Sequence, residues 1–123
     1  RRDFFMRREE LYLQDIVEAA DHIARFVAES GLVGFRESEM VRSAIVQKLG
    51  VIGEAASRVS DELKDRHAEV LWPKVVAFRN ILIHAYFGID WEIVWWAASE
   101  ETPALRDQIA RILDEFGNPD STA

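Results

Sequence analysis

Four polar side chains interrupt an otherwise apolar stretch of the sequence at residues 75–88. An arginine presents a planar, permanently charged fork that matches phosphate oxygens. A histidine titrates near neutral pH, so it can donate or accept a proton. These residue types together are suited to binding a phosphate group and to acid–base chemistry on it. The four residues are Arg79, Asn80, His84 and Tyr86.

The spacing of these residues places them on neighbouring faces of a helix. On an ideal α-helix Asn80 and His84, four residues apart, share one face, and Arg79 and Tyr86 share an adjacent one. Arg79 and His84 are about 140° apart, so one rigid helix does not point both at the same atom. A long arginine side chain, a distorted last turn or a second copy of the helix would close this gap.

The composition limits the chemistry that is available. The 123 residues include no cysteine and three histidines, His22, His67 and His84. This excludes a disulfide scaffold, thiolate zinc sites and cysteine nucleophiles. Because the histidines lack the spacing of a zinc motif, we expect no metal and no cofactor. His22 and His67 lie among acidic residues, and we interpret both as structural.

The charge distribution requires any nucleic-acid site to be local. A net charge of −7 is unsuited to coating nucleic acid, which depends on lysine and arginine neutralising phosphates. Residues 72–90 form a positive segment between two acidic ones. The sequence shows no apolar run of transmembrane length and no signal peptide, so we expect a cytoplasmic protein with no membrane contact.

Hydrophobic periodicity predicts an all-α, four- to five-helix up-and-down bundle. The first helix should end near Ser30, because Gly31 can adopt a left-handed conformation and begin a connection over residues 31–37. Ser38 is the expected N-cap of a second helix over residues 39–64. Gly50 and Gly53 within that helix indicate a close backbone approach by a neighbouring helix.

The second half of the chain carries further helix boundaries. Pro73 suits the first turn of a third helix, Asp90 is the expected cap of a short helix, and Thr102-Pro103 is typical of the N-cap and first residue of a last helix that ends at Gly117. No sheet is expected. We expect one domain over residues 7–117, an N-terminal extension over 1–6 and a flexible tail over 118–123. The third helix should bury Val75, Phe78, Leu82, Ala85 and Ile89 and stop at Gly88.

The string from Arg79 to Tyr86 resembles the R-x4-H-x-Y motif of the HEPN superfamily, and specifically its HepT-like (DUF86) branch. The resemblance includes residues 12–19, residues 48–56 and Trp72, and covers roughly residues 7–114. It implies a HEPN-like bundle that acts as a metal-independent ribonuclease toxin. It also implies a homodimer, with the motifs of both subunits facing one cleft, and a minimal nucleotidyltransferase as the antitoxin.

The resemblance implies a role for each motif residue. RNA carries its own nucleophile, the 2′-hydroxyl, so His84 would serve as base or acid and Arg79 would neutralise the phosphate. Asn80 would orient His84 or the phosphate. Tyr86 would stack on a base or bind the phosphate, and it is the position at which the family's nucleotidyltransferase attaches AMP, silencing the toxin.

Two other interpretations stay open. The motif could belong to a non-catalytic helical module that binds a nucleotide or an RNA end and assists a neighbouring nucleotidyltransferase. It could instead be a buried polar network in a plain dimerisation bundle. Trp91, Trp95 and Trp96 lie close together and offer a large apolar surface, which favours a homodimer unless they are ordinary core residues.

Overall fold

A computed structural model of the chain describes residues 2–81 and 90–117. This part of the protein is helical throughout its regular elements and contains no strand, which confirms the predicted all-α bundle. Residues 82–89, with the predicted continuation of the third helix, and the tail at 118–123 lie outside the described residues. The helices are α1 (Arg2–Glu37), α2 (Glu39–Arg58), α3 (Asp61–Arg66), α4 (Trp72–Val76), α5 (Trp91–Trp96) and α6 (Thr102–Gly117).

The hydrophobic core lies between α1, α2 and α6, and α4 covers part of α2. An exposed hydrogen bond from Arg106 of α6 to the Asp21 carboxylate of α1 spans 2.9 Å and raises the pKa of the guanidinium. Within the described ranges no helix is long and apolar enough to span a membrane. The fully buried side chains include Leu13, Ile16, Ile23, Ile45, Leu49, Ile52, Ile109 and Ile112.

A kink at Gly31 divides α1. Gly31 has a φ of 63°, which confirms the predicted positive-φ glycine at this point. The predicted connection over residues 31–37 is wrong, because the chain returns to helix at once and continues to Glu37. This extra turn places Phe35 in the core, where its ring lies 6.0 Å from that of Trp91 and 5.1 Å from that of Trp95.

The predicted caps at Ser38 and Asp90 are confirmed. The backbone N–H of Val41 donates to the Ser38 hydroxyl at 3.2 Å, and that of Glu92 donates to the Asp90 carboxylate at 2.9 Å. Each side chain therefore satisfies a backbone donor that the first turn of a helix leaves unpaired. Pro73 lies in the first turn of α4, as predicted.

The prediction of one helix over residues 39–64 is wrong, because α2 ends at Arg58. Val59 is extended, and Ser60 caps a separate helix by accepting from the N–H of Leu63 at 3.2 Å. The Glu9 carboxylate of α1 accepts from the Ser60 N–H at 3.2 Å. A tertiary contact and a local cap thus stabilise the break together.

The prediction that Thr102 caps the last helix is also wrong. A π-helical turn, Ala97–Glu101, joins α5 to α6, so the chain is helical without a break from residue 91 to residue 117. Thr102 has helical backbone angles, and its hydroxyl donates to the Ala97 carbonyl at 2.7 Å. In a regular α-helix the ring of Pro103 would clash with the carbonyl four residues earlier. The wider π turn lies directly before Thr102-Pro103 and is the kind of irregularity that accommodates a proline within a helix.

The close backbone approach predicted at α2 occurs at Gly53 and not at Gly50. After α4 the chain forms a 3-10 turn, Ala77–Asn80, and packs its backbone against α2. A Cβ atom at Gly53 would lie 2.9 Å from the Val76 carbonyl oxygen, 3.0 Å from the Arg79 Cα and closer still to the Arg79 nitrogen. A Cβ atom at Gly50 would meet nothing within 4 Å.

These two glycines provide a matched pair of substitutions. We expect Gly53→Ala to lower the free energy of unfolding by about 1–3 kcal/mol, because the added methyl group overlaps backbone atoms that cannot move aside. Gly50→Ala should raise it by up to about 1 kcal/mol, because alanine is the better helix former in open space. Urea denaturation followed by circular dichroism measures both. Equal effects of the two substitutions would contradict the close approach at Gly53.

Candidate active site

The structure describes two of the four predicted site residues. Arg79 and Asn80 are both exposed and lie on the 3-10 turn that follows α4. His84 and Tyr86 lie outside the described residues. The structure therefore shows where the first half of the motif is and which groups surround it.

The backbone at Arg79 is not the regular α-helix assumed from the sequence. Residues in a 3-10 helix are separated by about 120°, compared with 100° in an α-helix. Phe78 is buried and Arg79, the next residue, is about half exposed. The angle of about 140° between Arg79 and His84 was derived for an ideal α-helix. Because His84 lies outside the described residues, this angle stays a prediction, as does the distorted last turn that would close the gap.

A carboxylate from α2 lies beside the Arg79 guanidinium. Glu54 directly follows Gly53, whose missing side chain brings the turn against α2. The Glu54 Oε2 lies 4.0 Å from Nη1 of Arg79, and its Oε1 lies 3.2 Å from Nη2 of Arg58, one helical turn along α2. All three side chains are about half exposed, so solvent screens both ion pairs and each contributes little to stability.

Neither Glu54 nor Arg58 was predicted as a site residue. The information was nevertheless present, because Gly53 was interpreted as a point of close approach. The residue after such a glycine is placed near the neighbouring segment, and a residue four positions further shares its helix face. What the sequence lacked was the identity of that neighbouring segment.

The two described histidines have other surroundings. His67 is largely buried, with Nδ1 3.6 Å from a Glu69 oxygen and Nε2 3.4 Å from a Glu115 oxygen. The ring of His22 stacks on that of Phe26 at 6.4 Å. These contacts agree with the structural interpretation of both residues. Among the residues described, no three histidine, cysteine, aspartate or glutamate side chains are grouped as metal ligands would be.

A cavity of about 540 Å³ lies between α4 and α6, away from the motif residues that are described. Its apolar lining includes Phe78 and Leu105, and Lys74 and Glu101, which form an ion pair, also line it. Neither Arg79 nor Asn80 contributes to the lining. The exposed face at Arg79 is therefore separate from this cavity.

The three tryptophans of α5 differ in exposure. Trp91 and Trp95 are partly buried and pack against the core at Phe35, which agrees in part with the alternative interpretation. Trp96 remains 60% exposed, and Ile93, three residues earlier on the same helix face, is 61% exposed. The apolar surface left on α5 is thus smaller than the sequence indicated, and it is concentrated on one face.

Comparison with known proteins assigns the chain to a family. The family described as ribonuclease HepT-like matches residues 16–112, a range that contains the whole motif. The chain is 33% identical over 98 residues to "Putative RNase MJ1380" of Methanocaldococcus jannaschii. The aligned residues make up 80% of this chain and 90% of that protein. It is also 33% identical over 101 residues to "Probable ribonuclease HepT" of Thermococcus cleftensis. Here the aligned residues make up 82% of this chain and 92% of that protein.

A third relative, "Putative RNase TTE0752" of Caldanaerobacter subterraneus, is 29% identical over 110 residues, covering 89% of this chain and 98% of the relative. No solved structure matches the chain significantly. The extent of the family match and the identity to these relatives show that the chain belongs to the HepT-like family.

The exposure of Arg79 leads to a prediction about stability. We expect Arg79→Ala to change the free energy of unfolding by less than about 0.5 kcal/mol, because its ion pair is solvent-screened. Phe78→Ala, the matched substitution at the next residue, should lower it by about 3–5 kcal/mol, because the ring is buried. Urea denaturation of the two variants tests this. A loss of about 1–3 kcal/mol for Arg79→Ala would favour the buried polar network of a dimerisation bundle.

Proposed function

We propose that the protein is a ribonuclease that cleaves RNA without a metal ion, as an endonuclease, at a site containing Arg79 and His84. The observation that carries the proposal is the family match over residues 16–112, which includes the complete motif. The names of the relatives also refer to RNase activity. The exposure of Arg79 supports the proposal, because a phosphate-binding guanidinium must be open to RNA.

The proposed chemistry is a transesterification within the RNA. One His84 imidazole removes the proton of a 2′-hydroxyl, and that oxygen attacks the adjacent phosphorus. The bond to the 5′-oxygen breaks, a second, protonated imidazole donates a proton to the leaving oxygen, and a 2′,3′-cyclic phosphate remains. Arg79 stabilises the negative charge that develops on the phosphate, and Asn80 orients His84 or the phosphate.

We further propose that the protein acts as a homodimer. Two subunits supply two imidazoles, so the acid and the base come from different chains. The exposed Ile93 and Trp96 face of α5 supports this proposal, because it offers apolar surface on the segment that directly follows the motif. In this arrangement the motifs of both subunits face one cleft.

The proposal includes regulation by a partner. A minimal nucleotidyltransferase, encoded as the antitoxin of a cytoplasmic toxin–antitoxin pair, attaches AMP to Tyr86. The added nucleotide brings bulk and negative charge to the cleft, so it repels and blocks RNA. Before modification, Tyr86 stacks on a base or binds the phosphate.

Cleavage of RNA in excess EDTA tests the nuclease proposal. Purified wild-type protein should produce cyclic-phosphate ends, and His84→Ala should abolish them, because the proton transfers lose their imidazole. His22→Ala is the matched control, a histidine outside the motif, and should leave cleavage unchanged. If wild-type protein binds RNA without cutting it and His84→Ala merely weakens binding, the chain is instead a non-catalytic module that assists a nucleotidyltransferase.

Substitution of Tyr86 tests the regulation separately. Tyr86→Phe keeps the ring and removes the hydroxyl, so we expect RNA cleavage to persist while AMP transfer by the partner is lost. Intact-mass spectrometry after incubation with the partner and ATP measures the transfer, and cleavage is assayed in parallel. Inhibition of Tyr86→Phe to the same extent as wild type would contradict the role of the tyrosine.

A further inference from the structure

A carboxylate that bridges two arginines is the least expected feature beside the motif. Glu54 contacts Arg58 through Oε1 and Arg79 through Oε2. A carboxylate and a phosphodiester both present two anionic oxygens, and the same guanidinium geometry binds either of them. The position of Glu54 between the arginines is therefore one that an RNA phosphate would fit.

We propose that Arg58 and Arg79 form a two-arginine site for the RNA backbone and that Glu54 occupies this site until a phosphate displaces it. This inference rests on the proposed function, because it takes RNA to be the ligand at Arg79. It adds a second binding residue, Arg58, which lies outside the motif and on a different helix.

The weakness of the existing ion pairs makes the displacement feasible. The Arg79–Glu54 pair spans 4.0 Å, and the side chains of both residues are about half exposed to solvent. Exposed pairs of this kind contribute little to stability, so they do not hold the arginines in place against a competing anion. The Glu54 charge nevertheless opposes RNA binding, since it must be moved from the site or tolerated beside the phosphate.

The close contact at Gly53 explains why the two arginines share one carboxylate. Glu54 and Arg58 are four residues apart on α2 and lie on one face of the helix. Gly53 brings the backbone nitrogen of Arg79 against α2 immediately beside Glu54. The site is therefore built from two segments whose separation is fixed by a backbone contact.

Binding of an RNA that cannot be cut tests the role of Arg58. The probe is a short 2′-O-methyl RNA of mixed sequence, which lacks the nucleophilic hydroxyl, and fluorescence anisotropy is measured at several salt concentrations. Losing one contact to a single strand makes the negative slope of log K against log salt shallower by about 0.7 and weakens binding about fivefold at about 0.1 M salt. We expect both changes for Arg58→Ala. Arg58→Lys keeps the charge and should keep the slope.

Arg111→Ala is the matched control for this experiment. It removes the same charge from α6, where Arg111 lines the cavity between α4 and α6, and it should leave the slope unchanged. If wild-type protein binds the probe and Arg58→Ala binds equally well, Arg58 is not part of the site and the proposed nuclease function stands. If wild-type protein does not bind the probe at low salt, the inference and the proposed function are both overturned.

Removing the charge of Glu54 tests the displacement itself. We expect Glu54→Gln to bind the probe about fivefold more tightly than wild type, the effect of one charge pair at 4 Å in water. A carboxylate that only positions the arginines would have the opposite effect, since its loss would release them and weaken binding. Weaker or unchanged binding by Glu54→Gln therefore overturns the displacement.

Discussion

The contact between α2 and the 3-10 turn is the constraint on which the described half of the candidate site depends. Gly53 has no side chain, so the backbone of α2 approaches the turn more closely than any other residue would allow. This approach brings Arg79 beside Glu54, and through Glu54 to Arg58. The position of a charged, exposed side chain is thus determined by two backbones in contact rather than by the ion pairs that surround it.

Much of the fold was predictable because local chemistry determined it. Ser38 and Asp90 cap helices through their own side chains, and Gly31 adopts the positive φ expected of it. The errors occur where tertiary contacts decide between local alternatives. Ser60 ends α2 with the help of Glu9, a residue more than fifty positions away in sequence. Residues 31–37 are helical, and this conformation is stabilised by the burial of Phe35 in the core.

The site was predictable only in part. The spacing and types of the motif residues made Arg79 a candidate site residue, and the described structure adds its exposure and its surroundings. The proximity of Glu54 and Arg58 to Arg79 was not predicted, because it exists only after α2 and the turn have packed together. The 3-10 turn at Arg79 was not predicted, because sequence periodicity does not distinguish a 3-10 turn from an α-helical one.

The π turn between α5 and α6 determines how the faces of these two consecutive helices are rotated relative to each other. Val94 before the turn and Leu105 and Ile109 after it are all buried in the same core. Each residue of an α-helix advances the side chains by about 100°, so removing one residue from the turn would rotate the whole of α6 by that angle about its own axis. The irregular turn therefore fixes which face of α6 packs against the core. For this reason the length of the segment Ala97–Glu101 is less free to vary than its composition.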